Sequence, residues 1–231
     1  MLDSLKLRLA GFLRWHVTNP IVGTQRELTF QNIFDNQCRA HGLVNDFYPV
    51  GAAANYGLMY LLFRVFDELE IKRVVEFGSG QTTLLIDRIK KDATSHVCYE
   101  HDPQWHALLA ARLLRCDYRL RALEEATFGA RRAYWYSGVE LQNFDLLLVD
   151  GPIGVDRFSR FGCVDIIRSQ TAADFLIVFD DCQRKGEQDT VAYVVDMLRD
   201  AGRTFRVNQL IASRTQTVIA GGRFVGATYY Y

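Results

Sequence analysis

Strand–helix alternation from residue 72 to residue 221 predicts an α/β chain built on a doubly wound, Rossmann-like sheet. Short apolar runs recur there between amphipathic segments, the pattern of βαβ units. The runs at 72–77, 144–150 and 174–180 are nearly continuous in Val, Ile, Leu and Phe, as strands covered on both faces must be. The first run ends in Glu76-Phe77-Gly78-Ser79-Gly80, a glycine loop where a first strand meets its helix.

In chain order, strands are expected at 72–77 ("KRVVEF"), 95–100 ("SHVCYE"), 117–122 ("DYRLRA"), 144–150 ("FDLLLVD") and 174–180 ("DFLIVFD"). Amphipathic helices are expected at 81–92, 103–115, 157–172 and 186–201. Asp102 before Pro103 makes a good helix start, with Asp as cap and Pro at the first position. The runs 204–208 and 215–221 are expected to pair as an antiparallel C-terminal edge. Residues 1–70 differ, with helices expected at 3–16, near 30–42 and at 52–70, and an irregular stretch between the first two. So little strand pattern over that length predicts a thin core, hence an N-terminal helical cap over 1–70 facing substrate rather than an independent unit. The ligand-binding domain is expected over 71–231.

The chain has 231 residues, 49% of them hydrophobic and 23% charged, the balance of a soluble globular protein. Lys plus Arg and Asp plus Glu both number 27, which argues against nucleic acid as a partner. Five scattered cysteines without a C-x-x-C pair suggest neither a disulfide framework nor a zinc knuckle, and a reducing cytoplasm is expected. The N-terminus mixes Leu and Phe with Lys6, Arg8 and Arg14 and does not read as a signal peptide. No apolar stretch is long enough to span a bilayer. The first helix is expected to pack on the main domain, with a place on a membrane surface as the alternative.

The glycine loop fails two phosphate templates. A P-loop needs a lysine that does not arrive until Lys90, and the third position of G-x-G-x-x-G is Thr83. Glu76, two residues before the first glycine, would repel a pyrophosphate and suits a cationic or hydroxylated ligand. Glu100 ends the second strand, roughly 20 residues on, placed to accept hydrogen bonds from both hydroxyls of a ribose.

Together these stretches resemble the class I S-adenosylmethionine-dependent methyltransferases. The resemblance covers about residues 72–221 and rests on the loop, Glu100 after the second strand, Asp150 after the fourth and Asp180-Asp181 after the fifth. It implies cofactor contacts from Glu76, Gly78, Ser79, Gly80, Thr82, Thr83, Glu100 and His101. Leu123 and Glu124 are the candidates for the adenine end. Tyr134, Trp135 and Tyr136 read either as a substrate wall or as an aromatic plug. Within the class, "EFGSGQTT", "YEHDPQW" and "VDGP" look like small bacterial methyltransferases of surface-glycan or natural-product pathways.

Asp150, Asp180 and Asp181 should converge, since the fourth and fifth strands are neighbours in that family's sheet. Three carboxylates so close repel unless protonated or bridged by a cation, and all-oxygen ligands favour Mg²⁺, Mn²⁺ or Ca²⁺. The pattern resembles catechol-type O-methyltransferases, with Asp-Asp in place of Asp-Asn. That family's basic lysine is replaced by Ile153, so Asp150 itself or Asp156 is the candidate base. The alternative is that the acids cap helices or bond loop amides with no metal. Tyr48, Asn55 and Tyr56 are candidates both for substrate contact and for packing. The expected function is O-methylation of a hydroxylated small molecule or sugar. The alternatives are an aminopropyl transferase and a non-catalytic nucleoside- or nucleotide-binding module of the same fold.

Overall fold

The computed structural model describes residues 19–49, 53–128 and 131–231. The helix expected over 3–16 lies outside them. Helices α1 (Asn19–Ala40) and α2 (Tyr56–Glu68) precede β1 (Arg73–Phe77), α3 (Gln81–Ile89), β2 (Ser95–Glu100), α4 (Pro103–Ala110) and β3 (Asp117–Leu120). A hairpin, β4 (Leu123–Phe128) and β5 (Arg131–Tyr136), comes next, then β6 (Leu146–Val149), α5 (Cys163–Ser169), β7 (Phe175–Phe179) and α6 (Lys185–Asp200). Strands β8 (Phe205–Ile211) and β9 (Thr215–Gly221) and a 3₁₀ turn (Gly222–Tyr229) finish the chain.

Seven strands form one sheet in the order β3-β2-β1-β6-β7-β9-β8. The first five run parallel. Strand β9 pairs antiparallel with both β7 and β8, which makes the expected C-terminal edge. The order reverses between β1 and β6, so a crevice opens beyond their carboxyl ends.

Side-chain alternation along the buried strands feeds two apolar layers. Val74, Leu146, Leu148 and Leu176 pack with Phe34 of α1, Leu58 and Phe63 of α2 and Leu84 of α3. Val75, Phe77, Leu147, Val149 and Ile177 point the other way, onto Trp135 and Tyr136 of the hairpin, Val164 of α5 and Val194 of α6. Strand β6 has no exposed residue, which explains why its sequence is an unbroken apolar run. Among the described residues no helix is long and apolar enough to cross a membrane.

Three segments depart from expectation. Residues 19–30 are helical, because Pro20 falls in the first turn, where its missing N–H has no helical partner. Gly23 in that helix is a packing notch: a β-carbon there would stand 2.6 Å from the Ala212 carbonyl oxygen. The β4–β5 hairpin was not foreseen and occupies the connection between β3 and β6. Helix α5 begins only at Cys163, since Phe158 and Arg160 adopt φ of 50° and 58°, which no helix tolerates.

Candidate active site

Two adjoining hollows of about 510 and 520 Å³ lie beyond the carboxyl ends of β1, β2, β6 and β7. Tyr48, Ala54, Gly80, Gln81 and Thr82 line the first. Gly78, Glu100, His101, Tyr136, Arg160, Asp181 and Arg184 line the second. Ser79, Trp105 and Asp150 border both.

The glycine loop is held from several sides. Gly78 has φ +82°, and its N–H donates to the Tyr99 carbonyl at 3.0 Å. The Gly80 N–H donates to Thr83 Oγ1 at 3.0 Å, and Trp105 Nε1 donates to the Ser79 carbonyl at 2.9 Å. A β-carbon on Gly80 would meet no atom within 4 Å, so this glycine alone presents open backbone to the cleft.

Glu76 does not face the cleft. Its carboxylate turns inward, accepting from Thr82 Oγ1 at 2.6 Å and meeting His96 Nε2 at 2.9 Å, with both side chains of the acid–imidazole pair fully buried. Burying a carboxylate requires such partners. Glu76 therefore braces the loop from beneath, and Thr83, also fully buried, does the same.

Glu100 borders the cleft but is engaged with the loop. One carboxylate oxygen accepts from Ser79 N at 3.1 Å and Ser79 Oγ at 2.7 Å. The other accepts from the amides of His101 and Asp102 at 2.6 and 2.9 Å. Its neighbour Tyr136 is 3% exposed, and its hydroxyl has no hydrogen-bond partner among the described residues. A β-carbon on Gly151 would come within 2.3 Å of that hydroxyl, so Gly151 leaves room for it. Of the three aromatics, Trp135 packs against Phe77, Tyr136 lines the second hollow, and the exposed Tyr134 lines a third hollow of about 380 Å³ that shares Pro152, Ile153 and Arg160 with the second. Leu123 also lines this third, adjoining hollow, and Glu124 lines none of the three.

The three acids do converge: one oxygen from each of Asp150, Asp180 and Asp181 lies within 4.8 Å of the others. Arginines that the sequence reading did not single out surround them. Arg160 Nη2 lies 3.0 Å from Asp181 Oδ2 and 3.5 Å from Asp150 Oδ1. Arg184 Nη1 is 3.0 Å from Asp181 Oδ2, and Arg214 Nη1 is 3.5 Å from Asp181 Oδ1. Gln216 Nε2 donates to Asp180 Oδ1 at 2.6 Å and to Asn55 Oδ1 at 3.0 Å. Asn55 also reaches Glu27 and Ser213, so it ties α1 and the β8–β9 turn to the acids rather than facing a ligand. Tyr48 is exposed at the cleft rim.

Burial, then Asp180, hold the Asp150 carboxyl well above the usual carboxylate range, against the pull of Arg160. Burial, then Asp181, raise Asp180 as well. The oxygen spacing suits a divalent ion, but the electrostatics do not. Both Asp181 oxygens are already in ion pairs with guanidinium groups, and an ion among the acids would face three of them at close range.

No protein-family model matches the chain, and no curated protein matches it in sequence. Solved structures do match in shape. The O-methyltransferase from Bacillus cereus in complex with SAH superposes with a TM-score of 0.51 at 11% identity, over 84% of this chain and 90% of that one. The O-methyltransferase TomG from Streptomyces achromogenes, involved in tomaymycin synthesis and solved with SAM, gives 0.52 at 15% identity, over 87% and 98%. At such identities the likeness is one of fold. The chain has the class I methyltransferase fold, with structural neighbours that bind SAM and SAH.

Proposed function

We propose that this chain is an S-adenosylmethionine-dependent O-methyltransferase acting on a hydroxylated small molecule or sugar. The observation that carries the reading is the position of Asp150. It borders both hollows, with the open Gly80 backbone on one side and the Arg160–Asp181 pair on the other. A group between cofactor and acceptor has to stand at such a junction.

Bound there, S-adenosylmethionine would supply a sulfonium methyl for transfer to the acceptor oxygen, with the thioether as leaving group. Gly78, Ser79 and Gly80 would hold its amino-acid half, with Thr82 beside them, and Glu100 and His101 its ribose. Glu100 would accept from ribose hydroxyls in place of Ser79 Oγ. Asp150 takes the proton leaving the acceptor hydroxyl, so charge balances within the site. Tyr48 and Trp105 flank the cleft. Holding the reacting atoms about 3 Å apart and in line supplies much of the rate. Tyr48 and Ala54, from the chain before residue 70, close the hollow beside Gly80 and Thr82.

Isothermal titration with S-adenosylhomocysteine, beside NAD as a control, tests the reading. Binding of the first and not the second is expected. A chain that ignored S-adenosylhomocysteine would end it. A chain that bound it yet transferred methyl to none of a wide panel of hydroxylated acceptors would favour the non-catalytic module.

A further inference from the structure

Resting on the methyl-transfer reading, we infer that Arg160 is the resident cation of this site, a positioning residue that fixes Asp150 and Asp181 and leaves no place for a divalent ion. Its side chain is 4% exposed and its guanidinium reaches the ends of two strands. Nη1 donates to the carbonyls of Val149 and Asp180 at 3.4 and 3.1 Å, and Nε donates to the Pro152 carbonyl at 3.2 Å. Nη2 faces Asp181 and Asp150. One planar group thus clamps the carboxyl end of β6 to that of β7 and offers its charge to the acids between them, a fixed fork that a lysine lacks.

The backbone is bent to put it there. Arg160, Phe158 and Asp181 all have φ between 50° and 60°, uncommon for residues with a β-carbon. Bonds on either side hold that conformation: Ser159 N donates to the Gly186 carbonyl at 3.0 Å and Thr190 Oγ1 to the Ser159 carbonyl at 2.6 Å. Glu187 Oε1, 3.9 Å from Arg160 Nε, adds a fourth carboxylate to the group. Asp150, Asp180, Asp181 and Glu187 therefore face Arg160, Arg184 and Arg214, and the cluster is close to neutral without any ion. An added divalent cation would make it positive and would have to displace arginines from Asp181.

Manganese alone is the probe, followed by electron paramagnetic resonance and by the melting temperature. The parent chain is expected to bind no Mn²⁺ at millimolar concentration and to melt at the same temperature in chelator. Arg160→Gln, which removes the cation and keeps a polar side chain, should bind one Mn²⁺ per chain. Arg160→Lys, which keeps the charge, should stay as blind to metal as the parent. A merely structural arginine would not separate these two variants. Stoichiometric Mn²⁺ binding by the parent, or a folded Gln variant that takes none, would overturn the inference. Should the Gln variant fail to fold, the parent's own titration decides. The parent's affinity for S-adenosylhomocysteine is read in parallel, and its absence would strike the methyl-transfer reading while the manganese result still judged Arg160.

Discussion

Gly78 and Gly151 meet backbone to backbone at the foot of the cleft. A β-carbon on Gly78 would stand 2.7 Å from Gly151 N and 2.9 Å from the Asp150 carbonyl carbon. Protein backbone, and not only a ligand, therefore forbids a side chain there, and φ +82° adds strain of its own. Gly78→Ala should cost about 2–4 kcal/mol of stability, a combination of strain and overpacking, measured by urea unfolding. Gly80 is the cleaner probe of the ligand, since nothing lies near its β-carbon position. Gly80→Val should melt like the parent and lose most of its affinity for S-adenosylhomocysteine. Undiminished affinity in that variant would move the cofactor elsewhere.

Glu100 accepts four hydrogen bonds, two from Ser79 of the glycine loop and two from the amides of His101 and Asp102, and borders the space assigned to the ribose. Glu100→Ala should weaken S-adenosylhomocysteine binding by about 1.5–3 kcal/mol, the scale of hydrogen bonds to a charged group. It should also lower stability, because four donors lose their acceptor. Calorimetric titration that found the variant binding as tightly as the parent would show that the ribose lies elsewhere.

The legible parts of this molecule were those whose cause is local. Strand β6 is buried on both faces, so "LLLV" announced itself, and Asp102 before Pro103 marked the start of α4 through its own bonds to the amides of Gln104 and Trp105. The acids at the strand ends followed from strand order. What escaped is set by distant contacts. The stretch before residue 30 reads as irregular because nothing nearby shows that a helix there must graze Ala212. The hairpin had a signal in the two six-residue runs 123–128 and 131–136, which lie between the strands expected at 117–122 and 144–150. Arg160, Arg184 and Arg214 have no sequence signature at all. A count of 27 cations against 27 anions says nothing about where three of them gather.

Tyr136 allows stability and binding to be separated by sign. Its buried hydroxyl has no partner among the described residues and faces the cleft. An unpaired buried hydroxyl costs free energy, whereas a bond to a ligand returns about 1 kcal/mol. Tyr136→Phe should therefore melt at the same temperature as the parent or above it, yet bind S-adenosylhomocysteine about fivefold more weakly. Equal affinity in both proteins would remove Tyr136 from the binding surface and leave it as packing against Phe77.

Asp150 gives the last prediction, because its carboxyl is held well above its ordinary value by burial first and by Asp180 next. Asp181 and Glu76 push the same way, and Arg160 opposes them. A group raised in the folded chain contributes stability that is complete below its unfolded value and is lost as pH climbs through the folded one. Asp150→Asn cannot ionise, so relative to the parent it should gain stability as pH rises through that window, with Arg160 still paired to Asp181. Catalysis runs the other way, since only the carboxylate can accept the acceptor's proton. The parent's kcat/KM should rise with pH across a value higher than an ordinary Asp would show, and the Asn variant should be about 100-fold or more slower with that limb gone. Two measurements check this: a pH–rate profile with an acceptor that turns over, and melting curves of both proteins over the same range. A parent profile with no acidic limb, together with an Asn variant of undiminished rate, would take the proton-acceptor role from Asp150.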